Sequence, residues 1–285
     1  MFKLMKGYYV IFSLIIFSCS SGQEKVDYEN AVILETIVLP KIINETSGLE
    51  ILNNRFITHN DSGGNPSLYI FNEAGEIIQT VEIINQSNND WEDITADEDY
   101  IFIADTGNNF GNRDNLNIIK VKKSDFSVED KIDISYEDQQ TFLPRPKHKY
   151  DAEALFLIED KIAILSKDRS NLFTDLYLID KASNLKQALE SKITYNVNSL
   201  ITGSDYNKDM SLLALVGYNS KGNQFLILFE DFNLKNLAEK KFRKFKIPLE
   251  RAQIEAVKII DNDTFWITSE DEGIGSPYMY KIKVE

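Results

Sequence analysis

An all-β chain, and among all-β architectures a β-propeller, is what three observations predict for this sequence. Short alternating apolar runs bounded by Asn, Asp and Gly replace helical periodicity from Ala31 onward, as in "RFITHN", "YIFIAD", "KIAILSK", "SLLALVG" and "TFWITSE". A related segment precedes each run: "TSGLEIL" at 46–52, "WEDITAD" at 91–97, "AEALFLI" at 152–158, "TGSDYNK" at 202–208 and "IEAVKII" at 254–260. With Ser47, Glu92, Glu153, Gly203 and Glu255 taken as equivalent, the spacings are 45, 61, 50 and 52 residues. A four-stranded blade needs about 40 to 50 residues, so the repeat fits a propeller better than a sandwich or simple barrel.

Each unit supplies a third strand, "SLYIFN", "LNIIKV", "DLYLID", "FLILFE" and "YMYKIKV". The first four units also supply a fourth, "IIQTVEI", "KIDISY", "KITYN" and "FRKFKIP". The fifth unit ends after three strands, while "AVILETIVL" at 31–39 is a spare strand at the other end. The expectation is five blades with the ring closed by this N-terminal strand, which covers an otherwise open sheet edge. Six blades are the alternative, because the 61-residue unit has room for further strands.

The first residues carry Lys3 and Lys6, an apolar stretch from Tyr8 to Phe17, then "SCSS". This is the order of a secretory signal, with an apolar run short for a membrane span. Cys19, the single cysteine, stands at the cleavage boundary, and "IFSC" resembles the lipobox of bacterial lipoproteins. That resemblance implies removal of residues 1–18 and lipid attachment at Cys19. It also implies an exported chain held in the cell envelope, at the outer membrane or cell surface. Residues 19–30 read as a polar tether and 31–285 as one propeller domain.

The chain holds 31 Lys plus Arg against 45 Asp plus Glu, a net charge of −14. Without the leader, 29 basic residues face the same 45 acidic ones, giving −16. Such a surface argues against nucleic-acid binding, leaving a small ligand or an envelope protein as the expected partner of a monomeric chain. One cysteine excludes disulfides, so the core alone must hold the fold.

In a propeller the first strand of each blade lines the central channel. Glu92, Glu153 and Glu255 therefore converge, and clustered carboxylates repel unless a cation compensates. A hard ion such as Ca²⁺, which accepts several oxygen ligands, suits the pattern, with Asp93, Asp105, Asn60, Asp61 and Asn108 as further oxygens. The competing interpretation makes these residues acceptors for backbone N–H groups, and makes "DSGG" and "DTGN" ordinary turns in which Gly takes positive φ. "EDEG" at 270–273 adds to the acidic rim or forms a solvated turn.

His59 and His148 are the only histidines, and no Gly-x-Ser-x-Gly elbow occurs. His59 beside Asp61 is the acid–base candidate, against a satisfied strand-end histidine. The stretch "PRPKHKYDAEAL" at 144–155 places Arg145, Lys147, His148 and Lys149 next to Asp151 and Glu153. Such a loop can hold an anionic substrate group near a metal, or be solvated connection. Trp91, Phe156, Tyr206 and Trp266 are expected in the core between blades.

"WEDI", followed by an apolar strand and "ADTGNN", resembles exported bacterial propellers of the SdiA-regulated and phytase-esterase-like groups over most of residues 44–285. Calcium-dependent lactonases of the gluconolactonase type are more distant. That resemblance implies a channel metal held by acidic and Asn side chains, with Glu92, Glu153 and Glu255 in the acidic role. The lactonase "EGP" opening is absent from this sequence. Two functions follow as expectations: a ligand- or partner-binding module with an acidic, Ca²⁺-binding channel, or a metal-dependent hydrolase of an ester, lactone or phosphoester.

Overall fold

The structure, a computed structural model, describes residues 26–285 except Lys240, Glu250, Arg251, Glu272 and Ile274. The expected leader, the lipidation site Cys19, the first part of the tether and Glu272 of the acidic rim lie outside the described residues.

Two short N-terminal strands, β1 (Glu29–Asn30) and β2 (Val32–Val38), precede the blades. Blade 1 comprises β3 (Thr46–Leu52), β4 (Arg55–Asn60), β5 (Ser67–Phe71) and β6 (Ile77–Glu82). Blade 2 comprises β7 (Ile94–Ala96), β8 (Tyr100–Asp105), β9 (Asn117–Lys122) and β10 (Val128–Tyr136). Blade 3 runs through β11 (Ala152–Ile158), β12 (Lys161–Ser166) and β13 (Thr174–Asp180), leaves the sheet for β14 (Gln187–Leu189), and returns as β15 (Ile193–Tyr195). Blade 4 holds β16 (Leu200–Asn207), β17 (Leu212–Tyr218), β18 (Gln224–Phe229) and β19 (Arg243–Ile247). Blade 5 holds β20 (Ile254–Ile259), β21 (Thr264–Ser269) and β22 (Tyr278–Lys283).

The five sheets are antiparallel within each blade, and β2 completes blade 5 by pairing with β22 from Val32↔Lys283 to Val38↔Tyr278. Inner strands adjoin in the order β3, β7, β11, β16, β20, and β20 meets β3 again. The chain is therefore a five-bladed ring closed by its N-terminal strand. The long second unit contains no sixth blade: its extra residues form the loop 137–151, which has no strand. Two pairings go beyond the sequence pattern. Glu29–Asn30, at the end of the expected tether, lie parallel to β19, and β14 lies parallel to β10 of the preceding blade.

Position within the blade explains the sequence texture. Strands such as β17 (LLALVGY) and β12 (KIAILS) lie between neighbouring blades and are buried almost throughout, so they read as continuous apolar runs. The outer strands β2 and β6 are mostly exposed. Five apolar clusters fill the five seams between blades. Trp91 is fully buried in the seam of blades 1 and 2, Phe156 and Tyr206 pack between blades 3 and 4, and Trp266 packs between blades 5 and 1. Hydroxyls pin the inner rim of adjacent blades: Ser47 donates to the Glu92 carbonyl, Thr106 to that of Ala152 at 2.7 Å, and Thr202 to that of Ile254 at 2.6 Å.

Candidate metal centre at the upper end of the channel

The upper end of the ring is where the inner strands begin and the second strands end. Register shifts at the start of β11 and β20 leave Glu153 and Glu255 unpaired between Ala152 and Ala154, and between Ile254 and Ala256. Such a bulge re-aims one side chain out of the ladder, here towards the ring axis. Glu92 precedes β7, with its amide donating to Ala104 at 2.9 Å, so blade 2 presents its carboxylate at the same level.

Carboxylate oxygens of Asp61, Asp90 and Glu92 lie within 4.8 Å of one another, and so do those of Glu92, Asp151 and Glu153. Glu92 is the shared member. It is 4 % exposed, and its carboxylate makes no hydrogen bond or ion pair among the described residues. Burial, then the charges of Asp61 and Glu153, pushes its carboxyl well above the usual range. The same causes raise Asp90 to about 7, through burial and then Asp61, while burial takes Asp61 to about 6. Glu255 rises to about 8, mainly by burial, with Gln253 as hydrogen-bond partner.

Gly107 closes one side of this cluster. A Cβ there would lie 2.0 Å from Glu92 Oε1 and 2.5 Å from Asp90 Cγ, so the carboxylates occupy the space of a side chain. The "DTG" turn thus needs glycine at this position for room; positive φ applies instead to Gly63 of "DSGG", at 77°.

The other half of the ring carries its own cations. The Lys167 ammonium sits on Glu153, and Arg169 Nη2 lies 2.9 Å from Asp151 and 3.3 Å from Glu153. Below these groups, polar contacts cross between the blades. Asp93 accepts backbone N–H groups of Ile94 at 2.8 Å, Leu155 at 2.7 Å and Ser204 at 3.2 Å, tying blades 2, 3 and 4. Lys258 bridges Glu50 and Asp205, the latter at 2.9 Å.

These contacts divide the residues expected from sequence. Glu92 and Glu153 enter the clusters. Asp93 does not, because its oxygens are committed to three amides. Asp105 is likewise removed: Arg113 Nη2 lies 2.7 Å away, and Asn89 and the Asp90 amide donate to it. Glu255 faces the Lys167 charge and lies outside both compact groups. The amide nitrogens of Asn60 and Asn108 donate to the carbonyls of Ile42 and Tyr150, and Asn108 Oδ1 accepts the Arg113 amide at 2.9 Å.

Of the acid–base pair, Asp61 belongs to the cluster and His59 does not. His59 is fully buried edge-on to Trp91, its Nδ1 3.0 Å from the Asn60 carbonyl, and burial lowers its pKa to about 4. It is a neutral core group at neutral pH. In the basic loop, His148 is held at both nitrogens: Nδ1 accepts from the Tyr150 amide at 3.1 Å, so Nε2 donates to the Asn109 carbonyl at 3.2 Å. Lys149 pairs with Asp138 and Asp175, and Arg145 lies over Tyr150. Arg145, Lys147 and His148 line a shallow cavity of about 270 Å³ with Asp168 and Asn171, beside the clusters, and make no ion pair to the clustered carboxylates.

Asp90, Asp151, Lys167 and Arg169 were not expected from the sequence. The available signal was a repeated Asp-x-Glu, "DWE" at 90–92 and "DAE" at 151–153, at the same place in two successive blades.

No protein-family model matches the chain, and no curated protein sequence does. Solved structures do. A glutaminyl cyclase from Myxococcus xanthus is 9% identical, with a TM-score of 0.53 over 90% of this chain and 97% of the other. A PQQ-bound aldose sugar dehydrogenase from Streptomyces coelicolor is 10% identical, with a TM-score of 0.51 over 90% and 98%. At such identity the likeness establishes the fold alone, and the class of protein defined here is the five-bladed β-propeller with an acidic upper channel.

Proposed function

We propose that this protein is a lipid-anchored envelope propeller whose upper channel binds one divalent cation, Ca²⁺ by donor chemistry, and presents that face to a ligand or partner. The observation that carries the cation is Glu92: a buried carboxylate with no donor of its own, shared between two carboxylate groups. An all-oxygen donor set of Asp61, Asp90 and Glu92 suits a hard ion. Binding rather than catalysis is supported by Lys167 and Arg169 filling the other half of the ring and by the commitment of Asp93 to backbone amides beneath it. The anchoring at Cys19 rests on the lipobox resemblance, and a relation to the SdiA-regulated or phytase-esterase-like propellers rests on "WEDI" and "ADTGNN".

A hydrolase is the second reading. It is favoured by Asp61, which is only partly buried and leads into the exposed residues Ser62–Gly64, so an ion held there keeps a side open to solvent and substrate. Thermal unfolding of the purified full-length chain, in EDTA and then with added Ca²⁺, tests the cation site. Ca²⁺ at about 100 times its Kd adds roughly 2.7 kcal/mol to the folded state by linkage. The expected result is a rise in Tm for the native chain and none for Glu92→Gln. Identical melting of both under both conditions would sink the site.

A further inference from the structure

The oxygens of both carboxylate groups of the upper ring converge within 4.8 Å, but the cations beside them differ. Around Asp61, Asp90 and Glu92 the ion pair among the described residues is that of Arg113, 4.0 Å from Asp90 and committed to Asp105 at 2.7 Å. Around Glu92, Asp151 and Glu153, Lys167 and Arg169 are already in place. Lys167 is 3 % exposed, and its stem cannot swing away easily: it follows the buried Ser166, its amide donates to the Asp151 carbonyl at 2.6 Å, and its ammonium lies 5.2 Å from the Tyr218 ring.

We infer, resting on the cation-binding reading above, that Lys167 is a built-in counter-ion filling the second of two adjacent cation positions, so that the native protein takes one divalent ion and loss of the ammonium opens the other. Two features point this way. Oxygens of Glu92, Asp151 and Glu153 already converge within 4.8 Å, a spacing suited to a single ion, and the ammonium is seated on one of them. The buried Glu92 carboxylate, without a partner of its own, belongs to both groups and can serve an ion on either side. A covalently attached cation neutralises blade 3 at any ion concentration. The Asp61, Asp90 and Glu92 group, where Arg113 is committed to Asp105, depends on solution ions. The site is therefore asymmetric by construction, with ligand access through the Asp61 side.

The test is Ca²⁺ stoichiometry, measured by calorimetric titration and by metal analysis after gel filtration. It uses full-length native protein, Lys167→Met and Lys167→Arg, all in neutral detergent. One ion is expected for the native chain and for Lys167→Arg, and two for Lys167→Met. Removing one partner of a buried pair is destabilising, so Lys167→Met is also melted with and without saturating Ca²⁺. Recovery of the fold by Ca²⁺ is expected, because the ion replaces the ammonium. A Lys167→Met chain that binds one ion, or that stays unfolded in saturating Ca²⁺, overturns the inference, as does a native chain that binds two. A native chain that binds none fails the cation-binding reading itself, whatever the variant does.

Discussion

The two ends of the channel are built from the same residue types and differ in how completely their buried carboxylates are partnered. At the lower end, Glu50 and Asp205 share Lys258, and Asp205 also accepts the Ile259 amide at 2.9 Å. Asp93, between the two ends, has three amide donors. At the upper end, Glu92 has no donor and is surrounded by Asp61, Asp90, Asp151 and Glu153. A buried carboxylate with a complete set of donors is architecture: burial raises Asp93 and Glu50 as well, but groups of the protein already occupy their oxygens. One without such donors requires a proton or an ion from outside. The type of residue in the channel does not decide function; the completeness of its partners does.

The sharpest way to break this contrast is Lys258→Met. It leaves Glu50 and Asp205 buried without their cation, and an expected loss of about 3–5 kcal/mol follows in urea denaturation. Ca²⁺, which binds the upper end of both chains, should leave the difference between the variant and the native protein unchanged. A Ca²⁺ gain larger in the variant than in the native chain would show that the lower end is also an ion site and erase the difference between the two ends.

Next in size is Gly107→Ala. The new Cβ would overlap Glu92 Oε1 and Asp90, so the turn must shift at a cost of up to about 3 kcal/mol, and the Ca²⁺-dependent rise in Tm should disappear. A variant that keeps native Ca²⁺ affinity would place the ion away from Asp90 and Glu92.

The smallest effect is on pH dependence. Asp61, Asp90 and Glu255 have folded-state values raised to about 6, 7 and 8 from ordinary carboxylate values of 3.8 and 4.5. The folded chain therefore holds these protons more tightly than the unfolded chain. Their contribution is complete below about pH 4 and is lost as pH rises through 6 to 8. In EDTA, stability should fall by on the order of 1–2 kcal/mol across that window, since solvent reaches Asp61. Saturating Ca²⁺ should flatten the fall, because the ion displaces the protons. A flat profile in EDTA would mean that the upper carboxylates have partners after all.

Sequence reading reached the blades more easily than the site. Spacing between Ser47, Glu92, Glu153, Gly203 and Glu255 marks the inner strand of every blade, because seam packing imposes a local pattern at each one. Partners across the ring leave no local trace. Asp93 reads as a ligand beside Glu92, and only the arrival of the Leu155 and Ser204 amides from two other blades shows that it is a clamp. Asp105 is similarly claimed by Arg113, within a turn whose geometry the sequence does not specify. Lys167 is hidden for the opposite reason: in "ILSKDRS" it looks like a solvated strand end, yet it is buried against Glu153 of the neighbouring strand. The parallel contacts of β1, two residues long, and of β14, three residues long, escaped because they depend on sheet edges supplied by distant segments.

The pairing of β2 with β22 also governs timing. An N-terminal strand completes the blade made last, so the ring cannot shut until the chain has been made as far as Lys283. Closing a loop that spans nearly the entire domain is entropically late, and until it happens the edges of β2 and β22 remain available to other chains. Because a chain is synthesised from its N-terminus, this late latch keeps the propeller unlocked until the strand that pairs with β2 has been made.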